Sequence, residues 1–207
     1  MARIYSPLGN IRGSLGNLTF SGGAGDNQLR TKIASNGSNT PAQQNTRSRF
    51  KKLAELFRSL GSTARAGLKR QGNQSAYNRF VGQNFYNTAA DALNVASVDY
   101  SKLVISSGAV APVTGLTAAV RGDGVLLVSY ADNSNGNTAL DTDRVKVILV
   151  NKQTGNAATP DDDEATRADG SVEINTEGQP AADLMVLAFA YRADGSDASP
   201  TTRLQVV

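Results

Sequence analysis

Apolar residues recur at three different spacings along this chain, and each change of spacing marks a new part. Over residues 1–39 the apolar positions are sparse and set among Gly, Ser and Asn. Two runs, Leu15–Phe20 and Gln28–Ala34, suit short strands. The link Ser21-Gly22-Gly23-Ala24-Gly25-Asp26-Asn27 predicts a flexible hairpin turn between them. An isolated two-stranded ribbon is marginal in water. This arm is therefore expected to rest on a neighbour, in its own chain or another.

From residue 40 the spacing becomes helical. Thr40-Pro41-Ala42-Gln43 has the form of a capping box: a hydroxyl cap, proline at the first helical position, and Gln three residues after the cap. Phe50, Leu53, Phe57 and Leu60 fall at i, i+3, i+7 and i+10, which is one apolar stripe. Gly61 is expected to end that helix. Residues 62–71 predict a shorter basic helix. Residues 74–90 predict another, with Tyr77, Phe80, Val81 and Phe85 as its buried set. Together 40–90 read as a helical hairpin or three-helix unit. Residues 91–111 read as a connector, within which Asp99–Ile105 suits an additional strand.

From about residue 112 the period falls to two. Candidate strands are Leu116–Arg121, Val125–Tyr130, Arg144–Asn151, Ser171–Asn175, Leu184–Tyr191 and Thr202–Val206. Gly122-Asp123-Gly124, Asn133-Ser134-Asn135-Gly136 and Ala193-Asp194-Gly195 punctuate them. Short β-branched runs separated in this way predict an antiparallel sandwich over 112–207, expected to fold as a domain by itself. The fold class is α+β, a ribbon and helical module followed by a β-sandwich.

Charge divides the chain along the same lines. Residues 1–90 hold 13 Lys and Arg against Asp26 and Glu55 alone, a net of +11. Residues 91–207 hold eight against sixteen acids, a net of −8. The whole-chain value of +3 hides the split. Regions of opposite sign suggest different partners, or head-to-tail contact between copies. Aromatic residues make up only 6% of the chain, low enough to expect part of it to pack on a partner.

The basic helical residues are the main candidates for contact. Arg47, Lys51 and Arg58 fall together on a flank of the apolar stripe, and Lys52, Arg65, Lys69 and Arg70 extend the set. Such a face suits phosphates or an acidic protein surface; the alternative is a solvated face. No helix-turn-helix or RNA-binding signature accompanies it, nor an aromatic–basic interleaving suited to base stacking.

Catalytic chemistry is largely closed by absence. The chain has no His, Cys or Trp. That removes the usual general base, the usual zinc ligands and any disulfide framework. A Ser nucleophile would need a Lys or N-terminal base, and no Ser-x-x-Lys stands in a convincing position. The glycines of Gly13–Gly25 lack the phosphate-cradling loop pattern. Asp161-Asp162-Asp163-Glu164 suits Ca²⁺ in ligand type but lacks the EF-hand spacing. It reads instead as a solvated hairpin tip, or as a contact for the basic module of another copy. No enzyme, cofactor or metal is expected. The N-terminus lacks a signal-peptide core, and no apolar run approaches the roughly 18 residues of a membrane span. The chain is expected to be soluble and made in the cytoplasm.

Several segments resemble one family of small phage and prophage proteins from Bacteroidota. They are Ser38–Gln43 with Arg47 and Phe50, then Tyr77-Asn78-Arg79-Phe80-Val81 with Asn84. Asp99–Gly108 is similar to the family's central signature, and Leu127–Ser134 to a strand and turn that usually carries Trp where Tyr130 stands. Asp143–Val147 and Gly195–Ser199 also fit, so the likeness runs nearly the whole length. The resemblance implies a helical N-terminal part and an immunoglobulin-like C-terminal domain. It supplies a setting rather than a chemistry.

The function expected from residues and resemblance together is a non-enzymatic virion structural protein. A neck, ring or tail-adaptor subunit or a capsid accessory fits, assembled with copies of itself and other virion proteins. The alternative is a nucleic-acid-binding packaging or regulatory protein that uses the basic module.

Overall fold

The computed structural model describes residues 2–4, 11–23, 26–32, 37–121, 124–160 and 165–206. The acidic run 161–164 and the residues Gly122 and Asp123 of one expected turn lie outside the described residues. The chain divides into two compact units, residues 1–40 and residues 41–207.

The first unit is a four-stranded antiparallel sheet rather than a two-stranded ribbon. Its strands are β1 (Ala2–Ile4), β2 (Gly13–Leu15), β3 (Leu18–Gly23) and β4 (Asp26–Thr31), in the order β1-β4-β3-β2. The expected strand Leu15–Phe20 is cut by a turn. Gly16, with φ 55°, and Asn17 reverse the chain so that Leu15 pairs with Leu18. Gly-Asn between two pairing residues is a two-residue hairpin signal. None of Leu15, Leu18, Phe20 and Leu29 in this sheet is fully buried. Polar bonds organise it instead: buried Asn27 accepts from the Ile11 N–H at 2.8 Å, and Arg12 Nε donates to the Gly22 carbonyl at 3.1 Å.

In the second unit, α1 (Pro41–Gly67) starts at the proline of the expected cap. It breaks at Gly61, whose φ of 55° and ψ of −128° suit a residue without Cβ. The helix α2 (Ala76–Asn84) is capped by Ser75, which accepts from the Asn78 N–H at 3.2 Å. A 3₁₀ turn, Phe85–Asn87, leads into a small hairpin of β5 (Thr88–Ala90) and β6 (Ala96–Val98).

Asp99–Ile105 is not a strand. Asp99 Oδ1 accepts from the Ser101 N–H at 3.1 Å and starts a 3₁₀ turn over Tyr100–Lys102. Beyond it the extended chain satisfies its backbone through side chains. The Val104 N–H donates to Asn84 Oδ1 at 2.8 Å, and the Val104 carbonyl accepts from Asn84 Nδ2 at 2.7 Å. The N–H groups of Ile105 and Ser106 donate to Thr201 Oγ1 at 3.0 and 2.9 Å. A buried backbone needs partners of some kind; here they come from Asn84 and Thr201, not from a ladder.

Seven strands follow: β7 (Thr114–Val120), β8 (Val125–Ala131), β9 (Arg144–Asn151), β10 (Ala157–Ala158), β11 (Ser171–Asn175), β12 (Leu184–Tyr191) and β13 (Thr202–Gln205). They form two antiparallel sheets, β11-β8-β7 and β10-β9-β12-β13. The chain crosses between the sheets at β8–β9, β10–β11 and β11–β12, as in the Greek key of an immunoglobulin-like sandwich. The fold class is α+β, as the sequence indicates.

The larger sheet is buried on both faces. Val145, Val147 and Leu149 of β9, with Val186 and Ala188 of β12, meet Leu126, Val128, Val172 and Ile174 of the smaller sheet. The alternate residues Ile148, Val150, Met185, Leu187 and Phe189 meet Leu53, Phe57, Leu60, Leu68 and Phe80 of the helical segment. Helices, four-stranded sheet and three-stranded sheet thus make three layers. The divisions expected at residues 90 and 112 fall inside one packed unit, because the helices and the sandwich share a core. Tyr130 is buried between the sheets with its hydroxyl donating to the Thr166 carbonyl at 2.8 Å. Burial, with the Asp169 carboxylate, pushes that phenol up to about 12.

One close approach pins the helical layer. A Cβ on Gly67 would lie 2.4 Å from the Ile105 carbonyl oxygen and 2.7 Å from Ser106 Cβ. Gly67→Ala is expected to cost about 1–3 kcal/mol, as overpacking does. At Gly82 in α2 a Cβ would meet nothing within 4 Å. Gly82→Ala is expected to stabilise by roughly 0.5–1 kcal/mol through helix propensity. Urea denaturation of both variants checks the pair. Equal effects would refute the close approach.

Candidate functional site

The seven basic candidates separate into three environments. Arg47, Lys51 and Arg58 are exposed on α1. They are four and eleven residues apart, and eleven residues make about three turns. They therefore share one stripe, on the side away from buried Leu53, Leu56 and Leu60. Lys52 sits on a half-buried flank. Its Nζ lies 3.7 Å from the position a Cβ would take on Gly155, in the turn after β9. Arg65 follows the break at Gly61, with its guanidinium 5.8 Å from the Phe57 ring centroid.

Lys69 and Arg70 lie beyond the end of α1. They line a cleft of about 300 Å³ together with Arg79 of α2. Ser107, Ser196 and Asp197 form its other wall. Arg79 is half-buried and donates through one terminal nitrogen to the Lys69 carbonyl at 2.6 Å. Arg70 Nε donates to the Gly72 carbonyl at 3.1 Å. Asp197 accepts from the Ala109 N–H at 3.0 Å and from its neighbour's Ala198 N–H at 2.8 Å, so its carboxylate serves the wall. Nearby Asp194 has its carboxyl held below the usual range, chiefly by hydrogen bonds from Ser196 and then by Lys69 and Arg192. The sequence places Lys69 and Arg70 on a helical face. The structure removes them from it and adds Arg79, which lies on a different helix from the exposed stripe, so spacing along one helix does not reveal it.

A second surface escaped the sequence reading. Tyr86 and Leu93 are 89% and 83% exposed, and Val95 is exposed beside them in the chain. The Phe50 and Phe85 rings lie 5.0 Å apart, and the Phe85 and Tyr86 rings 5.8 Å apart. The Arg49 guanidinium stands 3.8 Å over the Phe85 ring and donates to the Phe85 carbonyl. Of the expected buried set, Phe80 and Val81 are buried, Phe85 is half-buried and Tyr77 is exposed at the edge.

Among the described residues, no group of three or more acidic side chains is placed to hold a metal ion. No helix among them is long and apolar enough to cross a membrane.

Residues 10–202 match the family of unknown function DUF6266. The chain belongs to that family. No curated protein and no solved structure matches it.

Proposed function

We propose that this chain is a non-enzymatic structural subunit that assembles with further copies of itself. The setting proposed is a phage virion, as a neck, ring or tail-adaptor component or a capsid accessory; it rests on the sequence resemblance. One observation carries the structural reading. The arm of residues 1–40 is a compact unit in which no described hydrophobic side chain is buried, while Leu15 and Leu18 stand 72% and 37% exposed. Short strands whose described apolar side chains stay partly exposed gain stability from whatever covers them. Each copy also carries a +11 and a −8 segment. Contacts between unlike patches close into rings when the rotation permits.

The exposed stripe of Arg47, Lys51 and Arg58 is the surface assigned to the acidic segment of a neighbour. The same stripe favours the second reading, nucleic-acid binding for packaging or regulation. One experiment separates them. Sedimentation velocity of the wild type is expected to show a discrete oligomer that nuclease leaves intact. The variant Arg47→Glu, Lys51→Glu, Arg58→Glu is expected to sediment as a smaller species. A variant that assembles normally but loses DNA or RNA binding would overturn the structural reading of this stripe. In that case the salt slope should become shallower by about one unit per lost phosphate contact.

A further inference from the structure

We infer that the cleft formed by the end of α1, α2 and the loop after β12 binds a phosphate group. Three cations from two segments converge there: Lys69 and Arg70 beyond α1, and Arg79 on α2. The ordinary role of cations at such a place is to complement the carbonyls of a helix C-terminus. Arg79 does this with one nitrogen, on the Lys69 carbonyl. That role leaves most of the donors unspent. Lys69 Nζ makes no hydrogen bond among the described residues, and Arg70 spends only Nε, on Gly72. The terminal nitrogens of Arg70 and the second terminal nitrogen of Arg79 remain for a ligand.

The opposing charge is limited and fixed. Asp197 is the one carboxylate in the lining, and its two oxygens accept from backbone N–H groups at Ala109 and Ala198. Asp194 stands next to the cleft, accepts from the Ser196 N–H at 2.7 Å and offsets part of the Lys69 charge, which leaves the two arginines as the net excess. The lining therefore keeps an excess of positive charge facing an opening. Ser107 and Ser196 add hydroxyls on the far wall. A phosphate monoester carries about −1.5 to −2 charges and three acceptor oxygens at neutral pH. Guanidinium forks match such oxygens in pairs. A volume of about 300 Å³ takes a phosphate with a small group attached. The walls are closely packed where they meet: a Cβ on Gly108 would lie 2.1 Å from Asp197 Oδ1 and 2.3 Å from the Ala198 carbonyl oxygen. The site is separate from the exposed stripe on α1 and stands whether or not copies assemble.

Two sources can supply this chemistry, a small phosphate ester or the phosphodiester backbone of a nucleic acid. Calorimetric titration of the full chain with inorganic phosphate and with thymidine monophosphate tests the site. A labelled oligothymidylate, followed by anisotropy, tests the second source. Lys69→Gln with Arg70→Gln is expected to weaken phosphate binding about tenfold or more, since each lost charge-assisted bond is worth at least that. Both side chains lie outside the packed core, so a thermal melt of the variant should match the wild type. Arg47→Gln, Lys51→Gln, Arg58→Gln is expected to leave phosphate binding unchanged. Competition between oligothymidylate and phosphate assigns the site to a nucleic-acid backbone; competition by the monophosphate alone assigns it to a small ester. No binding of inorganic phosphate or the monophosphate at millimolar concentration, or binding that the double variant leaves intact, overturns the inference.

Discussion

Residues 112–207 expressed alone are expected to lack a cooperative melt, whereas residues 41–207 should unfold in one transition. The reason lies in the second face of the four-stranded sheet. Ile148, Val150, Met185, Leu187 and Phe189 pack against the helical segment, and the fragment would expose all five. Burying one such side chain is worth about 1.5–3 kcal/mol. Five together reach roughly 10 kcal/mol, which is comparable to the whole stability of an ordinary domain. The fragment also loses polar partners. Arg203 Nε donates to the Leu103 carbonyl at 2.7 Å, and Thr201 holds Ile105 and Ser106. Far-UV circular dichroism with a urea titration of both fragments measures the difference. A sharp all-β transition from 112–207, with no binding of a hydrophobic dye, would show that the helical layer is dispensable.

Asp143→Ala is expected to be the most damaging single change, at about 3–5 kcal/mol. Asp143 and Arg167 are 0% and 1% exposed, with Arg167 Nε 3.3 Å from Asp143 Oδ2. The other oxygen, Oδ1, accepts from Arg192 at 3.0 Å, and Oδ2 also accepts from the Leu140 N–H at 2.9 Å. Arg167 further donates to Asn133 Oδ1 and to the Ala111 carbonyl. One carboxylate thus ties the chain before β7, the β8–β9 loop, the approach to β11 and the end of β12. Removing it leaves a buried guanidinium without its counter-charge. The double change Asp143→Leu, Arg167→Met should cost clearly less, because neither charge is then stranded. Urea denaturation at neutral pH gives all three values. If Asp143→Ala cost under about 1 kcal/mol, as an exposed pair does, the network would not be what holds these loops.

Much of the fold is written in local patterns. The proline after Thr40 starts α1 where a capping box places it, and Gly61 interrupts it where a glycine in a helical stripe suggests. Arg144–Asn151, Ser171–Asn175 and Leu184–Tyr191 are strands with the expected bounds. The misses are equally physical. Asp99–Ile105 has the composition of a strand, but its backbone is claimed by Asn84 and Thr201, residues far away in sequence. Leu15–Phe20 has the apolar composition of one strand, but its Gly-Asn pair turns the chain. The continuous apolar runs in β9 and β12 are the local signal of a sheet covered on both faces. A half-exposed strand alternates, whereas one covered on both faces does not.

For the candidate site the division is sharper. Composition alone removes histidine and cysteine chemistry, and the charge split into +11 and −8 needs no coordinates. Helical spacing places Arg47, Lys51 and Arg58 on one stripe, because that relation is local and periodic. It cannot group Lys69 and Arg70 with Arg79, Ser107 and Asp197, which meet only because α2 folds back and the sandwich loops close over the end of α1. Nor can it say which face of a strand meets a helix and which meets a second sheet. Period and composition depend on neighbours in sequence and are legible there. The cleft, the shared core and the Asp143 network depend on neighbours in space, and only the packing of the three layers decides them.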